Sequence, residues 1–346
     1  MIADDLFAGA GGWDLAAAQL GILARGVENM PQARATRDAA GLTTIHDDVW
    51  TYEPDGAAEG LIASPPCQTF SAAGKGTGRA ALDNVLRAIG DGAYRSRTRL
   101  RGLGMYVGDD RTALVLTPLH FAVTGGYEWL AWEQVPTVLP VWEACAAELE
   151  TLGWHTWTGN LQAEQYGVPQ TRKRAFLLAS RRGPVAPPEP THSRYYSRDP
   201  GKLDLGVEKW VSMAEALGWG LMERPSPTVT GGGTETGGAE PIAKIVERWT
   251  TRPDWCFRRP STTIVGTFRP DVVAAPGYRT TVSRQNAPDS VRITVSEAGV
   301  LQSFPADFPW RGAQGKQYLQ AGNAVPPGLA LHALSASSRQ RAEVAA

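Results

Sequence analysis

Residues 60–68 read Gly-Leu-Ile-Ala-Ser-Pro-Pro-Cys-Gln, an apolar run followed at once by two prolines and a cysteine. A run of this length ahead of a proline pair predicts a short buried strand that ends in a sharp turn. The thiol of Cys67 would then lie at the carboxyl edge of a sheet, where open α/β sheets bind their ligands. A lone cysteine is most often an ordinary half-buried residue, so the rest of the chain has to decide its role.

The predicted strand belongs to an alternating pattern of strands and helices. Such alternation is typical of a doubly wound α/β sheet. The predicted strands are 2–7, 24–28, 60–63, 129–132, 155–161 and 175–179. Apolar residues at helical spacing predict one helix over 138–152 and another over 111–123. The stretch between the cysteine turn and residue 111 then becomes a long connection, of a kind that is uncommon unless it forms a lid or a binding segment.

The chain is longer than one typical core, which predicts a large domain and a smaller one. Its composition changes near Gly183, where prolines cluster and sustained periodicity ends. We therefore expect a catalytic and cofactor-binding domain over 1–183, a loop-rich second domain over 184–291, and a return segment over 292–346 that completes the first domain.

The composition of the chain limits the classes of protein to which it can belong. Of the 346 residues, 42% are hydrophobic and 20% are charged, and no apolar stretch reaches membrane length, which predicts a soluble globular protein. No secretory or transit signal precedes Asp4, so we expect a cytoplasmic protein. The three cysteines are far apart in sequence, which argues against disulfides and a zinc site. Net charge is -1, yet basic clusters at 79–101, 172–182 and 248–259 suit either a polyanionic substrate or a solvated face.

A glycine-rich segment follows the first predicted strand. Residues 5–12 read Asp-Leu-Phe-Ala-Gly-Ala-Gly-Gly, and helical residues begin near Asp14. Glycines allow a ligand to approach the backbone, and a helix amino terminus suits a carboxylate or phosphate, although a tight structural turn would also explain them. Glu28 ends the next strand about where a ribose-binding acid is expected. Asp48 follows a further short run and is placed to meet an adenine amino group.

Two further segments place polar side chains at the predicted ligand edge. Glu133 follows the strand 129–132, where a buried carboxyl can donate a proton. Gln170-Thr171-Arg172-Lys173-Arg174 precedes the strand 175–179, and an arginine there can orient a glutamate or hold a carbonyl oxygen through forked hydrogen bonds. Read alone, this segment could equally be a solvated basic turn.

Taken together and in order, these segments resemble the C5-cytosine DNA methyltransferase family. Residues 5–12 resemble its first cofactor motif, and 64–71 its Pro-Cys-Gln nucleophile loop. Residues 133–135 resemble its Glu-Asn-Val element, 170–174 its Gln-x-Arg-x-Arg element, and 322–327 its Gly-Asn-Ala-Val-Pro-Pro element. The resemblance implies a mostly parallel, seven-stranded, Rossmann-like sheet of the S-adenosylmethionine-dependent methyltransferase type, with a smaller target-recognition domain at 184–291.

The resemblance also implies a mechanism and its residues. Cys67, with Gln68 beside it, would add to carbon 6 of cytosine while Glu133 protonates N3. Arg174 would contact Glu133 and the cytosine O2, and Arg172 belongs to the same catalytic element. Because the target atom is unreachable inside a duplex, the base is flipped out. A basic connection beginning at Gly74 would close over it.

The implied cofactor is S-adenosylmethionine, with Glu28 on the ribose, Asp48 on the adenine, and Asn323 and Val325 near the methionine end. The residues expected around it are Phe7, Ala8, Gly9, Gly11, Gly12, Glu28, Asn29, Asp48, Val49, Pro66, Asn323 and Val325. The implied partner is double-stranded DNA, with no metal and no membrane. We expect a monomer, encoded by a bacterium or phage, that has a cognate restriction endonuclease as a candidate partner.

Two departures from the family pattern stand out. Gln134 replaces the usual asparagine after the catalytic glutamate, a residue that braces the nucleophile loop, and the connection over 78–111 is longer than usual. Three alternatives remain. The first is an RNA cytosine methyltransferase of the same superfamily. The second is an inactive DNA-binding relative, which the intact Cys67, Glu133 and Arg174 disfavour. The third is a nicotinamide oxidoreductase, which the Phe-x-Gly-x-Gly-Gly order disfavours.

Overall fold

A computed structural model describes residues 1–66, 77–107, 110–199, 201–219, 253–266, 271–274 and 290–339. Its strands are β1 (Ile2–Leu6), β2 (Leu23–Val27), β3 (Thr43–His46), β4 (Gly60–Ala63), β5 (Trp129–Gln134), β6 (His155–Gln162), β7 (Lys173–Ser180), β8 (Val272–Val273) and β9 (Val291–Arg292). Its helices are α1 (Gly12–Gln19), α2 (Pro31–Ala39), α3 (Thr77–Gly90), α4 (Arg97–Val107), α5 (Asp110–Leu114), α6 (Thr117–Thr124), α7 (Leu139–Thr151), α8 (Met213–Ala216), α9 (Trp255–Arg258), α10 (Val295–Leu301), α11 (Gln314–Asn323) and α12 (Pro327–Ser338).

The first seven strands form one sheet in the order β3-β2-β1-β4-β5-β7-β6. All neighbouring strands are parallel except at β7, which runs antiparallel to both β5 and β6. This confirms the predicted doubly wound, mostly parallel, seven-stranded sheet. Because β7 is reversed, its first residues lie at the edge where β5 ends. The turns that follow β1 to β5 therefore lie at this edge, together with the start of β7.

The sheet is covered on both faces, which explains why β4 and β5 are apolar runs without alternation. Each residue of these two strands is buried. On one face, α3 and α7 contribute residues such as Val85 and Trp142 to an apolar cluster. On the other, α1 and α12 pack together with residues such as Trp13 and Leu329. The central strands are thereby fixed, and so are the turns at their ends.

The structure corrects the prediction for the connection after the cysteine turn. Residues 77–107 form α3 and α4 instead of a loop, and Val85 and Leu100 of these helices are buried in the core. A closing segment of the kind expected from Gly74 would have to lie within 67–76, outside the described residues. The single helix expected over 111–123 is also divided into α5 and α6. Pro118 near the start of α6 explains the break, since proline fits the first turn of a helix but not its interior.

A third apolar cluster lies beyond the sheet. Residues of the predicted small domain, such as Met213 and Val273, pack there with residues of the return segment, such as Leu301 and Tyr318. Ala10 of the glycine-rich turn belongs to the same cluster. The boundaries 184–291 and 292–346 stay predictions, and the part of the return segment before α12 packs with this cluster. Within the described residues, no helix is both long and apolar enough to span a membrane.

Candidate active site

The glycine-rich turn connects β1 to α1 through left-handed backbone. Phe7, Gly9 and Gly11 have φ values of 63°, 55° and 103°. A non-glycine residue in this region is held at a cost of about 1–3 kcal/mol, and such residues cluster at binding and catalytic sites. A Cβ added to Gly9 would meet nothing within 4 Å, so the turn faces open space at Gly9, whereas a Cβ added to Gly11 would lie 2.1 Å from Leu42 Cδ1. The predicted cofactor motif is thus a backbone surface that a ligand can approach.

Glu28 fastens this turn to the end of β2. One carboxylate oxygen accepts a hydrogen bond from the Gly9 backbone N–H at 2.8 Å, and the other accepts one from the Met30 N–H at 2.7 Å. Asn29, between them in sequence, is exposed. Each carboxylate oxygen keeps a second lone pair. Glu28 can therefore hold the turn in place and still accept hydrogen bonds from a ligand hydroxyl.

Asp48 and Val49 follow β3 at the same edge of the sheet. Asp48 accepts a hydrogen bond from the Trp50 backbone N–H at 2.9 Å and is half-buried, while Val49 is buried. Pairing of β2 with β3 brings His46, two residues before Asp48, opposite Val27, which precedes Glu28. The predicted ribose and adenine residues therefore lie on neighbouring strand ends.

The turn at 322–327 reaches the cofactor motif from the far end of the chain. A Cβ on Gly12 would lie only 2.1 Å from the Val325 carbonyl oxygen, so only glycine permits this approach. Val325 is buried and Asn323, which ends α11, is exposed. The structure thus brings the predicted residues Gly12 and Val325 into direct contact.

The sequence did not predict a cluster of buried charged side chains that lies close to this turn. Arg37 donates to both carboxylate oxygens of Asp14 at 2.8 and 2.7 Å, and its guanidinium occupies the space beside Gly26. Asp5 is fully buried beside the Asp14 carboxylate. Burial, and next the charge of Asp14, raise the pKa of the Asp5 carboxyl well above its usual value. Gly26 could have indicated this cluster, because a glycine inside a strand often marks a place where another group comes close to the backbone.

The segment 64–66, which leads from β4 into Cys67, is held from two sides. The Trp13 indole N–H donates to the Ser64 hydroxyl at 2.9 Å. The side-chain amide of Gln134 donates to the Pro65 carbonyl oxygen, and its own oxygen accepts a hydrogen bond from the Val135 N–H. Pro66 is half-buried. Cys67 and Gln68 lie outside the described residues, directly after this fixed segment.

Glu133 and Arg174 form an ion pair beside the start of that segment. The Arg174 Nε lies 2.9 Å from a Glu133 carboxylate oxygen, and Glu133 is only 5% exposed. The pairing of Ala63 with Trp132 brings Ser64 alongside Glu133. The reversed strand β7 brings Arg174 to the same place. Glu133, Arg174 and the segment that leads into Cys67 therefore meet at one edge of the sheet.

Arg172 lies close by in sequence but points into the protein. It is 2% exposed, and its guanidinium donates to the backbone carbonyl oxygens of Gly322 at 3.0 Å and Ala324 at 3.2 Å. Of the two arginines predicted to be catalytic, the structure pairs Arg174 with Glu133 and directs Arg172 to the turn at 322–327. Among the described residues, no group of three or more His, Cys, Asp or Glu side chains is placed to hold a metal ion.

Comparison with known proteins shows which family the chain belongs to. A family model described as C-5 cytosine-specific DNA methylase matches residues 1–86 and 139–337. The Type II methyltransferase M1.HphI of Haemophilus parahaemolyticus is 27% identical, over 94% of this chain and 83% of that protein. The Type II methyltransferase M.HgiDI of Herpetosiphon aurantiacus is 26% identical, over 94% and 90%.

Solved structures support the fold. The Entamoeba histolytica methyltransferase EhMeth superposes with a TM-score of 0.58 at 12% identity, covering 98% of each chain. The Dnmt2 methyltransferase of S. pombe gives a TM-score of 0.58 at 15% identity, covering 97% of each chain. The family model spans most of the sequence, including the glycine-rich turn, the nucleophile turn and the entry to β7. This chain belongs to the C-5 cytosine-specific DNA methylase family.

Proposed function

We propose that this protein transfers a methyl group from S-adenosylmethionine to carbon 5 of a cytosine flipped out of a specific duplex DNA sequence. The reaction proceeds through a covalent bond between the Cys67 sulfur and carbon 6. The observation that carries this proposal is the ion pair between Glu133 and Arg174 next to the segment that leads into Cys67. Family membership supports cytosine methylation in general, and the ion pair supports the acid-assisted covalent route.

The residues present suit that route. Carbon 5 of cytosine is a weak nucleophile, so the Cys67 thiolate first adds to carbon 6 while Glu133, in its protonated form, gives a proton to N3. The resulting enamine is nucleophilic at carbon 5. Arg174 holds Glu133 by its charge and keeps the carboxyl oriented toward the base. After carbon 5 has taken up the methyl group, a base removes the carbon 5 proton, and the electron pair of that C–H bond expels the Cys67 thiolate from carbon 6. N3 returns its proton to Glu133.

The described residues fit the cofactor that this chemistry needs. Gly9 faces open space at the turn, Glu28 retains lone pairs for hydroxyl groups, and the Asp48 carboxylate can accept from an amino group. When bound, S-adenosylmethionine supplies the methyl group that carbon 5 takes up. Phe7, Gly9 and Gly11 form the backbone surface against which S-adenosylmethionine would lie.

The other cysteines are unsuited to act as the nucleophile. Cys145 and Cys256 are both fully buried. Burial, and next the charge of Glu148, raise the pKa of the Cys145 thiol well above its usual value, so it stays protonated. Since the thiolate is the attacking form, this supports Cys67 as the reactive cysteine.

A surface of the small domain supports a nucleic-acid partner. Arg194 and Lys202 both lie over the ring of Tyr196, at 5.7 and 4.4 Å from its centroid, and all three are at least partly exposed. The exposed Lys209 lies 4.6 Å from the ring centroid of Trp210, which is itself buried. Cations held over aromatic rings combine attraction for phosphate with flat apolar area. The names of the relatives, Type II methyltransferases, further support a role in restriction-modification.

Expression in cells, followed by bisulfite sequencing, tests the proposal. The wild type should create new 5-methylcytosines in one sequence context, and that context is the recognition site. Cys67→Ser should create none. Glu133→Gln should lower turnover by about 10²- to 10⁴-fold, the usual contribution of a positioned acid. A wild type that methylates no cytosine in DNA would overturn the proposal.

Two controls test separately the role of Cys67 and the choice of DNA as the substrate. Cys145→Ala removes a thiol that lies in the core and should keep full activity per folded molecule. Purified enzyme should also be offered duplex DNA and transcribed RNA in parallel, with labelled methyl donor. Methyl transfer to RNA alone would favour the RNA branch of the superfamily.

A further inference from the structure

Arg172 is a charged side chain built into the interior. Burial of a guanidinium is costly unless its donors are satisfied. Here it donates to Gly322 and Ala324 and makes a longer contact of 3.5 Å to the Ile264 carbonyl oxygen. These three acceptors are backbone groups, so the contacts depend on the positions of the chain segments that carry them.

Ile264, which Arg172 contacts, lies in the predicted small domain. Its segment 261–266 is fastened to the entry of β7, because the Thr171 N–H donates to the Ser261 carbonyl at 2.8 Å and the Ile264 N–H donates to the Gln170 side chain at 3.1 Å. The same segment crosses the return segment closely. A Cβ on Gly322 would lie 2.2 Å from the Gly266 nitrogen, so the two backbones touch.

The other two contacts lead to the cofactor motif. Gly322 and Ala324 flank Asn323 in the turn whose Val325 carbonyl lies against Gly12. Gly12 begins α1 directly after the turn that faces open space. Arg172 is therefore bonded to the small domain on one side and, on the other, to a turn in contact with the cofactor motif.

We propose that Arg172 is a positioning residue that couples DNA engagement by the small domain to cofactor binding at the glycine-rich turn. This rests on the proposed function, in that the small domain holds DNA and the turn holds S-adenosylmethionine. A shift of the segment 261–266 on DNA binding moves the Ile264 carbonyl, and Arg172 passes that shift to the carbonyls of Gly322 and Ala324. Coupling between two binding sites is reciprocal, so each ligand changes the affinity of the other by the same factor.

Binding of S-adenosylhomocysteine with and without duplex DNA tests the proposal in the wild type, Arg172→Lys and Arg174→Lys. The wild-type dissociation constant should fall about five-fold or more when DNA is present, the low end of typical allosteric coupling. In Arg172→Lys the ratio should approach one, because an ammonium cannot span several carbonyls. Arg174→Lys should lower the rate of methyl transfer and keep the wild-type ratio.

Hydrogen exchange supplies a measurement that needs no variant. Adding S-adenosylhomocysteine alone to the wild type should slow amide exchange at 261–266, which belong to the small domain. If Arg172→Lys kept the wild-type ratio and lost turnover as severely as Arg174→Lys, Arg172 would be catalytic and the inference wrong. Unchanged exchange at 261–266 would also overturn it. A wild type that binds both ligands without methylating any cytosine in DNA would instead count against the proposed function alone.

Discussion

At the scale of single residues, Gln134 shows how a substitution in a family motif can be accommodated. The family carries asparagine here, and the extra methylene of glutamine raised the question of whether the nucleophile turn is still braced. The Gln134 amide reaches the Pro65 carbonyl and folds back to accept from the Val135 N–H. Both of its hydrogen-bonding ends are used within a buried site, so the brace is present with a longer side chain.

We expect Gln134→Asn to lower the single-turnover rate of methyl transfer about ten-fold. The shorter amide would leave the Pro65 carbonyl without its donor, and a factor of ten corresponds to about 1.4 kcal/mol, the scale of one buried hydrogen bond. The same substitution at the exposed Gln19 is the matched control and should change nothing. A rate equal to wild type would show that the brace does not matter for the chemistry.

The sequence predicted some residues of the site and missed others for a physical reason. Glu133 and Arg174 were predicted as a pair because each belongs to a recognisable element at a strand end, and they do form an ion pair. Asp5, Asp14 and Arg37 were not predicted as a buried cluster, since charged residues are almost never fully buried unless paired. Pairing depends on α2 folding over Gly26, which no local pattern reveals.

At the scale of elements, the parallel core could be predicted and the helical insert could not. Strands β4 and β5 are unbroken apolar runs, because both of their faces are covered. Helix α3 has Leu82, Val85 and Ile89 at helical spacing, but the arginines of α3 and α4 belong to the basic cluster at 79–101, which was interpreted as a connection. Their stability comes from burial of residues such as Val85 and Leu100, a tertiary effect. Strand β3 was not among the predicted strands, because it is a four-residue edge strand with little burial.

The contact of α1 with the turn at 322–327 gives an element-scale prediction. Gly12→Ala would place a methyl group 2.1 Å from the Val325 carbonyl oxygen, so the start of α1 and the turn must separate. We expect the affinity for S-adenosylhomocysteine, measured by calorimetry, to fall at least about ten-fold, a loss of about 1.4 kcal/mol. Gly102→Ala in α4 is the control, since a Cβ there meets nothing within 4 Å. Equal affinity in the two variants would mean that this contact does not shape the cofactor site.

At the scale of the whole molecule, the sheet and the third apolar cluster are linked by segments from distant parts of the sequence. The proline-rich stretch after Gly183 predicts a change of domain, and that boundary stays a prediction. Composition could not show that residues such as Leu301 and Tyr318 pack with Met213 instead of with the sheet. That information lies in which apolar faces meet, and it becomes visible only once both segments are folded.

Glu164, in the connection between β6 and β7, makes the stability of the molecule depend on pH. Burial raises the pKa of its carboxyl from 4.5 to about 7, opposed by the charges of Arg194 and Arg259. Between these two pH values the folded state keeps a proton that the unfolded state releases. Stability is therefore greatest below about pH 4.5 for this group and declines as pH rises to about 7. The total effect is about 3 kcal/mol.

We expect Glu164→Gln to reduce that decline, because a neutral amide has no proton to lose. Urea unfolding at pH 5 and pH 7.5 should show a smaller difference in free energy of unfolding for the variant than for the wild type. Glu189→Gln, at an exposed glutamate, should behave as the wild type. Parallel pH profiles for wild type and Glu164→Gln would show that Glu164 is not the group responsible.

The reversed strand β7 has a consequence for how the protein can be divided. Glu133 lies next to the end of β5 and Arg174 next to the start of β7, yet the turn at Gly153 between them lies at the opposite edge of the sheet. A chain cut at Gly153 leaves the acid on one fragment and its orienting arginine on the other, without severing any loop of the site. Neither half can assemble the pair alone. If each fragment were fused to a separate binding module, the two fragments would form an active enzyme only where the modules come together. Methylated cytosines would then mark those positions in the DNA.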